Sequence, residues 1–383
     1  MPSLPLGEIS LETFLKEYWQ KKPLLIRNAL PNLELPVSAD ELAGLACEEF
    51  VESRLVIQDG VSERWELAHG PFTEETFREL PEAHWTLLVQ AVDHWVPAAA
   101  QFLARFHFIP SWRIDDLMIS YASDGGGVGP HYDNYDVFLV QASGRRRWEI
   151  GGRFDANSPR RPDTPVLILT DWEPECSWIV GPGDMLYVPP CIGHHGVAVG
   201  NDCMTCSVGF RAPSHGEILR GFADYVADAL SEEKRYSDPG LVPQACPGSL
   251  TPEALEAVHR IVTDYAKDKT LLAEWFGRFI TAPKYPEEEP TTPIYRIEGL
   301  QAHISTGGRL VRNEGSRFAF QEQGGELRLF VDGHCYPCPK SQSELVQALC
   351  AELMINPRKY LHSVPHLQLL VDLLNQGSLY LSD

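Results

Sequence analysis

The residues with the clearest chemistry follow a glycine-rich run near the middle of the chain. Residues 125–129 and Pro130 lead directly into His131, and Asp133 comes two residues later. The alternation that continues beyond Asp133 predicts a strand, on which His131 and Asp133 would share one face. An imidazole and a carboxylate on one face supply two ligands of the two-histidine, one-carboxylate set that binds Fe(II).

A third ligand should come from a histidine on a neighbouring strand, well downstream. A Gly-Asp-x-Leu-Tyr-Val-Pro-Pro turn is followed by two adjacent histidines, His194 and His195. Neighbouring residues of a strand face opposite ways, so only one of the two can reach the metal. The residues alone leave open which one it is. They also leave open a purely structural role, in which His131 is a core histidine beside a satisfied carboxylate.

Composition limits the kind of protein and the kind of partner. The 383 residues are enough for two or three domains, and 53 Asp and Glu against 32 Lys and Arg give a net charge of −21. This charge disfavours nucleic acid and favours basic partners, although solubility alone would also explain it. No apolar run approaches the roughly 20 residues of a membrane span. The first residues lack the features of a secretory leader, so a cytoplasmic protein is expected.

Cysteine usage agrees with a reducing compartment. The nine cysteines are scattered and odd in number, which is typical of a cytoplasmic protein without a disulfide framework. Two Cys-x-x-Cys pairs occur, at residues 203–206 and 335–338, but each lacks a second pair at zinc-finger spacing. A structural zinc site is therefore not expected.

The elements that must position the candidate ligands divide the chain into four regions. Residues 1–212 are predicted to form the catalytic domain, in which short strands from about 113 to 210 close into a jelly-roll or cupin barrel. Residues 213–283 show helical periodicity, and residues 284–293 form a linker rich in proline and acid. Residues 294–383 combine glycine turns, strands and two helices in a winged-helix-like pattern.

Two of these regions raise questions about partners. Apolar faces on the helices of residues 213–283 indicate a homodimer contact, with packing onto the barrel of the same chain as the alternative. From residue 291 onward there are eight Lys and Arg against nine Asp and Glu, so DNA binding by the winged-helix-like domain is not expected. Helices begun by Ser10 and Ser38, with a mostly helical stretch at residues 85–106, are predicted to wrap the barrel.

The whole pattern resembles the JmjC-type cupin oxygenases, and among them the bacterial ribosomal oxygenases that hydroxylate an arginine of ribosomal protein L-sixteen. The segments that carry the resemblance, besides the candidate ligands, are residues 112–120, 144–148 and 207–213. The resemblance extends over nearly the whole chain. It implies a mixed α+β fold. A double-stranded β-helix barrel would carry N-terminal helices, a helical dimerisation region and a C-terminal winged-helix-like domain.

The resemblance also implies which residues bind the metal and the cosubstrates. The family's ligand histidine corresponds to His194, so the metal set would be His131, Asp133 and His194, holding Fe(II), with 2-oxoglutarate and O₂ as cosubstrates. Arg146 matches the family's basic anchor for the far carboxylate of 2-oxoglutarate. Thr205 matches a position close to the cosubstrate.

A substrate pocket is expected on the inner face of the barrel. Asp116 and Met118 share one strand face, and Tyr135 and Ser207 belong to segments on either side. A buried acid requires a partner, and a substrate guanidinium would serve, with Arg113 of the same chain as the alternative. These positions also resemble the substrate pocket of the arginine-hydroxylating subgroup.

The resemblance therefore implies an Fe(II)- and 2-oxoglutarate-dependent dioxygenase. Its substrate would be an arginine side chain of a basic ribosomal protein, L-sixteen, and the enzyme would be a homodimer. Two other hypotheses keep the chemistry but change the substrate to a histidine side chain or to tRNA, and the net charge disfavours tRNA. A further hypothesis is a metal-binding cupin scaffold without catalytic activity. Succinate formation by the purified protein would distinguish the scaffold from the enzymes.

Overall fold

A computed structural model describes residues 4–59, 64–285 and 294–382. The chain divides into two units, Met1–Ala212 and Pro213–Asp383. The predicted linker at residues 284–293 lies outside the described residues except for its first two positions. The finer boundaries at 283 and 293 stay predictions.

The first part of unit one alternates short helices and strands. These elements are α1 (Leu11–Glu17), β1 (Leu24–Ile26), α2 (Ala39–Leu45), β2 (Ser53–Gln58), β3 (Trp65–His69), α3 (Glu74–Arg78), β4 (Trp85–Val89), α4 (Val92–Trp95) and α5 (Pro97–Leu103). The predicted helix starts are confirmed: Ser10 caps α1, and Ser38 forms a capping box with Glu41 at the start of α2.

The second part of unit one contains the remaining barrel strands. They are β5 (Ile114–Ala122), β6 (Val137–Ser143), β7 (Arg146–Arg153), β8 (Cys176–Val180), β9 (Met185–Val188), β10 (Ile192–Ala198) and β11 (Cys203–Phe210). An eight-stranded antiparallel sheet has the order β1-β9-β6-β11-β5-β4-β2-β3, and a three-stranded antiparallel sheet has the order β10-β7-β8. Val137 and Leu186 of the larger sheet share a core with Trp148 and Val180 of the smaller one. The predicted antiparallel barrel in a mixed α+β fold is confirmed.

The N-terminal helices cover the outer face of the larger sheet. Phe14 of α1, Leu42 of α2 and Phe102 of α5 are buried in one core with Leu117 of β5 and Phe138 of β6. This confirms that the N-terminal helices wrap the barrel. Because the large aromatic side chains on one face of these strands pack against the helices, the opposite face of each strand points into the barrel.

The helical prediction for residues 85–106 is wrong over its first five residues. Trp85–Val89 forms β4, which pairs with β5 on one side and β2 on the other. Four of these five residues are buried. A short run that is apolar on both faces has no clear period, so its sequence cannot distinguish a central strand from a buried helix.

Unit two begins with three helices, α6 (His215–Ala229), α7 (Pro252–Lys267) and α8 (Lys269–Thr281). The elements that follow are α9 (Ile297–Ser305), β12 (Arg309–Arg312), β13 (Phe318–Gln323), β14 (Glu326–Val331), β15 (His334–Cys338), α10 (Ser343–Ala351), β16 (Met354–Ile355), α11 (Val364–Gln376) and β17 (Leu379–Ser382). The two predicted C-terminal helices and the final strand are confirmed as α10, α11 and β17. Among the described residues, no helix is long and apolar enough to cross a membrane.

Candidate active site

The two residues that open the site do not lie on a regular strand, contrary to the sequence prediction. Strand β6 begins only at Val137, and His131 forms an isolated antiparallel bridge with His194 of β10. Both backbone hydrogen bonds of this bridge are present, at 3.0 and 2.8 Å. The carbonyl of Asp133 accepts a hydrogen bond from the N–H of Cys191 at 2.7 Å. The approach segment is therefore fixed on β10 by backbone bonds even though it is irregular.

Three side chains meet at this bridge. One ligand atom from each of His131, Asp133 and His194 lies within 4.8 Å of the others. The His194 Nε2 is 3.6 Å from a carboxylate oxygen of Asp133, and the two imidazole rings are 4.3 Å apart between centroids. Two imidazoles and one carboxylate in this arrangement match the donor set of the facial triad of non-haem iron oxygenases.

Both imidazoles are oriented by backbone carbonyls. The Nδ1 of His131 lies 2.9 Å from the carbonyl oxygen of Gly129, and the Nδ1 of His194 lies 3.1 Å from that of Ile192. If each Nδ1 carries its proton toward the carbonyl, each Nε2 lone pair is left for a metal. Burial and the neighbouring His131 lower the pKa of His194 to about 4, so His194 is neutral near pH 7.

The adjacent His195 points to other partners. Its Nδ1 lies 3.3 Å from a carboxylate oxygen of Glu149, and the indole N–H of Trp172 donates to the same oxygen at 3.4 Å. Burial lowers the pKa of His195, and the bond to Glu149 opposes that effect. The structure thus brings His194, and not His195, to His131 and Asp133.

A buried guanidinium lies on the inner face of the smaller sheet. Arg146 of β7 is only 4% exposed, whereas Arg145 and Arg147 on either side are exposed. Its Nη1 reaches the carbonyl oxygen of Gly196 at the long distance of 3.5 Å. Its Nε and Nη2 have no hydrogen-bond partner among the described residues. A buried cation with free donors is costly unless an anion pairs with it.

One further side chain, that of Trp148, is close to these groups. The indole of Trp148, two residues after Arg146 on β7, lies 5.7 Å from the Arg146 guanidinium carbon and 6.0 Å from the His194 ring. Its buried N–H also has no partner in the part of the chain that the structure describes. Trp148 was missed in the sequence, although its even spacing from Arg146 could have indicated it. On β11, the Thr205 hydroxyl donates to the Gln141 Oε1 at 3.2 Å.

Three of the four predicted substrate residues, Asp116, Met118 and Ser207, lie on the inner face of the larger sheet. Met118 pairs with Ser207 in the antiparallel register of β5 and β11, so the two side chains share a face. Asp116 is 2% exposed, and its Oδ2 accepts hydrogen bonds from the Gln90 Nε2 at 2.7 Å and the Ala91 N–H at 3.0 Å. Arg113 was the alternative partner for Asp116, but its Nη2 lies 3.5 Å from the Oδ2 of Asp136.

Tyr135 lies between these residues and the ligand cluster. Burial of its hydroxyl raises the pKa of Tyr135, and the carboxylates of Asp133 and Asp116 raise it further. Although 42% of the residue is exposed, its hydroxyl is close enough to both acids for their charges to raise its pKa. A protonated hydroxyl at this place can hold a polar substrate group next to the ligand cluster.

Comparisons with known proteins find family matches in both units of the chain. Residues 101–218 match the JmjC domain family, and residues 264–380 match the ROXA-like winged helix family. The chain is 40% identical to the ribosomal protein uL16 3-hydroxylase of Escherichia coli (strain K12) over 306 residues, which are 79% of this chain and 80% of that protein. It is 42% identical to a probable ribosomal oxygenase of Haemophilus influenzae over 216 residues, 56% of this chain and 53% of that protein.

Solved structures show the same likeness along nearly the full length. The structure of YcfD, a ribosomal oxygenase from Escherichia coli, in complex with cobalt and 2-oxoglutarate is similar to this chain with a TM-score of 0.86 and 34% identity. The superposition covers 98% of this chain and 99% of that one.

Proposed function

The chain belongs to the JmjC-domain ribosomal oxygenases, and from this premise we propose that it is an Fe(II)- and 2-oxoglutarate-dependent dioxygenase that hydroxylates an arginine side chain of ribosomal protein L-sixteen. The observation that carries the proposal is the cluster of His131, Asp133 and His194 inside the barrel. The relative from Escherichia coli is named for the same ribosomal protein, uL16.

The residues present fit an iron ion. His131 and His194 offer imidazole nitrogens whose orientation is fixed by backbone carbonyls, and Asp133 offers a carboxylate oxygen. Such a set binds Fe(II) and leaves open positions for a cosubstrate and O₂. Fe(II) bound with 2-oxoglutarate and O₂ would supply the oxidising power that inserts one oxygen atom into a carbon–hydrogen bond.

Arg146 would bind the far carboxylate of 2-oxoglutarate. Its two unpartnered nitrogens can donate to both oxygens of one carboxylate, which fixes orientation as well as charge. Thr205, buried on β11, would lie beside the cosubstrate. Because Arg146 is buried, the pair would be shielded from water, and this shielding strengthens the attraction.

Asp116, Met118, Tyr135 and Ser207 would bind the substrate side chain. The carboxylate of Asp116 favours a positively charged guanidinium over an imidazole that is mostly neutral near pH 7. Met118 would pack against the methylene groups of the arginine, and the Tyr135 hydroxyl would hold the side chain near the ligand cluster. The net charge of −21 favours encounter with a basic ribosomal protein.

The test is mass spectrometry of peptides incubated with the purified protein, Fe(II), ascorbate and 2-oxoglutarate. An arginine peptide from L-sixteen should gain the mass of one oxygen, and matched peptides with lysine or histidine in its place should not. Asp116→Asn should lower turnover of the arginine peptide at least tenfold, since hydrogen bonds to charged groups contribute about 1.5–3 kcal/mol. The exposed Asp40→Asn is the matched control.

Each alternative function has its own outcome in this experiment. Preferential oxidation of the histidine peptide would replace arginine by histidine as the substrate. Oxidation of tRNA with no peptide product would exclude a protein substrate. Absence of succinate under every condition would leave the metal-binding scaffold.

Two further parts of the proposal concern assembly and compartment. The helices of residues 213–283 are proposed to form a homodimer contact, because α7 buries none of its residues although one side of it is apolar. Ribosomal proteins are made in the cytoplasm, so the proposed activity belongs there.

A further inference from the structure

One carboxamide lies between a resident cation and the proposed substrate-binding acid. The Gln90 Nε2 donates to the Asp116 Oδ2 at 2.7 Å, and the Gln90 Oε1 lies 3.4 Å from the Arg54 Nη2. Both ends of the same amide group are therefore used. The two ends of an amide differ, because one is a donor and the other an acceptor, so this orientation suits an anion on one side and a cation on the other.

The three residues belong to neighbouring segments of the larger sheet. Arg54 lies in β2 directly opposite Leu88 of β4, Gln90 follows the end of β4, and Asp116 lies in β5. Ala91 adopts a left-handed backbone conformation, with φ of 50°, and its N–H donates to the same Asp116 oxygen at 3.0 Å. A left-handed alanine is uncommon, and the bond to Asp116 offsets its cost.

Arg54 is close enough to act on the proposed pocket. Its Nη2 lies 4.0 Å from the Met118 sulfur. A guanidinium already present here is the natural competitor of a substrate guanidinium for Asp116, because both carry the same charge and the same fork of donors.

We propose that Gln90 is a positioning residue that determines specificity, since it holds the Asp116 carboxylate in place and keeps Arg54 from pairing with it. The inference rests on the proposed function, because it takes Asp116 as the partner of a substrate cation. Without the Gln90 amide, Arg54 can approach Asp116 and occupy the place of the substrate guanidinium. The protein would then inhibit itself, and the loss would fall on substrate binding.

The test is a double-mutant cycle on Gln90 and Arg54, with an arginine peptide that the wild-type protein hydroxylates. Gln90→Ala should raise the KM for the peptide roughly tenfold or more while changing kcat less, as expected for loss of a hydrogen bond to a charged group. Arg54→Ala added to Gln90→Ala should recover most of the lost affinity, because the competing cation is gone. The exposed Gln101→Ala and Arg105→Ala serve as matched controls.

Recovery of peptide affinity in the double variant would distinguish competition by Arg54 from damage to the fold. If each substitution merely damaged the fold, their effects on the KM would add. Gln90→Glu keeps the size of the side chain but removes the donor to Asp116, and it should also raise the KM for the peptide. A double variant no better than Gln90→Ala, or a KM within twofold of wild type in Gln90→Ala and Gln90→Glu, would overturn the inference and leave the proposed function standing. A wild-type protein that oxidises no arginine peptide would overturn both.

Discussion

Two adjacent histidines of β10 have different partners because their side chains point to opposite sides of the strand. His194 is 2% exposed and meets His131 and Asp133, whereas His195 bonds to Glu149 on the other side of the strand. The same residue type is thus placed in two environments by the alternation of a strand. Substitution of His194 should therefore affect metal binding more than substitution of His195.

We expect His194→Ala to lower the affinity for Co(II), a spectroscopic substitute for Fe(II), by at least a hundredfold, because one of three protein ligands is lost. His195→Ala is the matched comparison and should lower it by less than tenfold. Calorimetric titration of each variant with Co(II) measures both values. A larger loss in His195→Ala would mean that His195 is the ligand.

Arg146 provides the second prediction for a single residue. Arg146→Ala should raise the KM for 2-oxoglutarate by a hundredfold or more, since leaving a buried charge without its partner costs about 3–5 kcal/mol. Arg147→Ala, its exposed neighbour on β7, should change that KM less than twofold. Steady-state assays over a range of 2-oxoglutarate concentrations measure it. An unchanged KM in Arg146→Ala would remove this residue from the cosubstrate site.

At the scale of elements, the glycine run before His131 explains how an irregular segment reaches the site. A Cβ on Gly126 would collide with the carbonyl oxygen of Trp85 in β4, and one on Gly127 would lie 2.5 Å from the carbonyl oxygen of Gly196 in β10. The segment therefore passes against two backbones where any side chain would be too large. Its course sets the position of His131.

Gly127→Ala should accordingly weaken both the fold and the metal site. We expect a fall in melting temperature of several degrees and a loss of Co(II) affinity, because β10 must move away from His131. Gly181→Ala is the matched control, since nothing lies within 4 Å of the Cβ it would add. Differential scanning fluorimetry and Co(II) titration measure the two effects. Equal behaviour of the two variants would contradict this account of the glycine run.

The extent to which the sequence predicts the structure differs between elements. The α1 and α2 caps were predictable because a capping residue lies within three positions of its partner, and the spacing of His131 and Asp133 is equally local. Strand β4 was predicted as helix, and Gln90, which follows it, was not identified as a candidate site residue. The contacts of Gln90 with Arg54 and Asp116 connect segments 36 and 26 residues away, and no local pattern reports such distances.

At the scale of the whole molecule, unit two exposes an apolar surface among its described residues. It is the face of α7 formed by Leu255, Val258 and Val262, which are between 50% and 63% exposed. By contrast, α8 next to it buries Trp275 and Ile280. Full burial of one aliphatic side chain contributes about 1.5–3 kcal/mol, so a contact between two such faces would be a substantial part of a stable interface. A second copy of the chain offers a face of the same chemistry.

The protein is therefore expected to be a homodimer at micromolar concentration, with the mass measured by light scattering after gel filtration. The double variant Val258→Glu and Val262→Glu should give a monomer, because it would bury two like charges in each half of the interface. Arg260→Glu, on the opposite side of α7, is the matched control and should stay dimeric. Circular dichroism should show the same helix content in all three proteins, since these side chains are exposed within one chain. A wild-type protein with monomer mass, or a dimeric double variant, would exclude the α7 face as the contact.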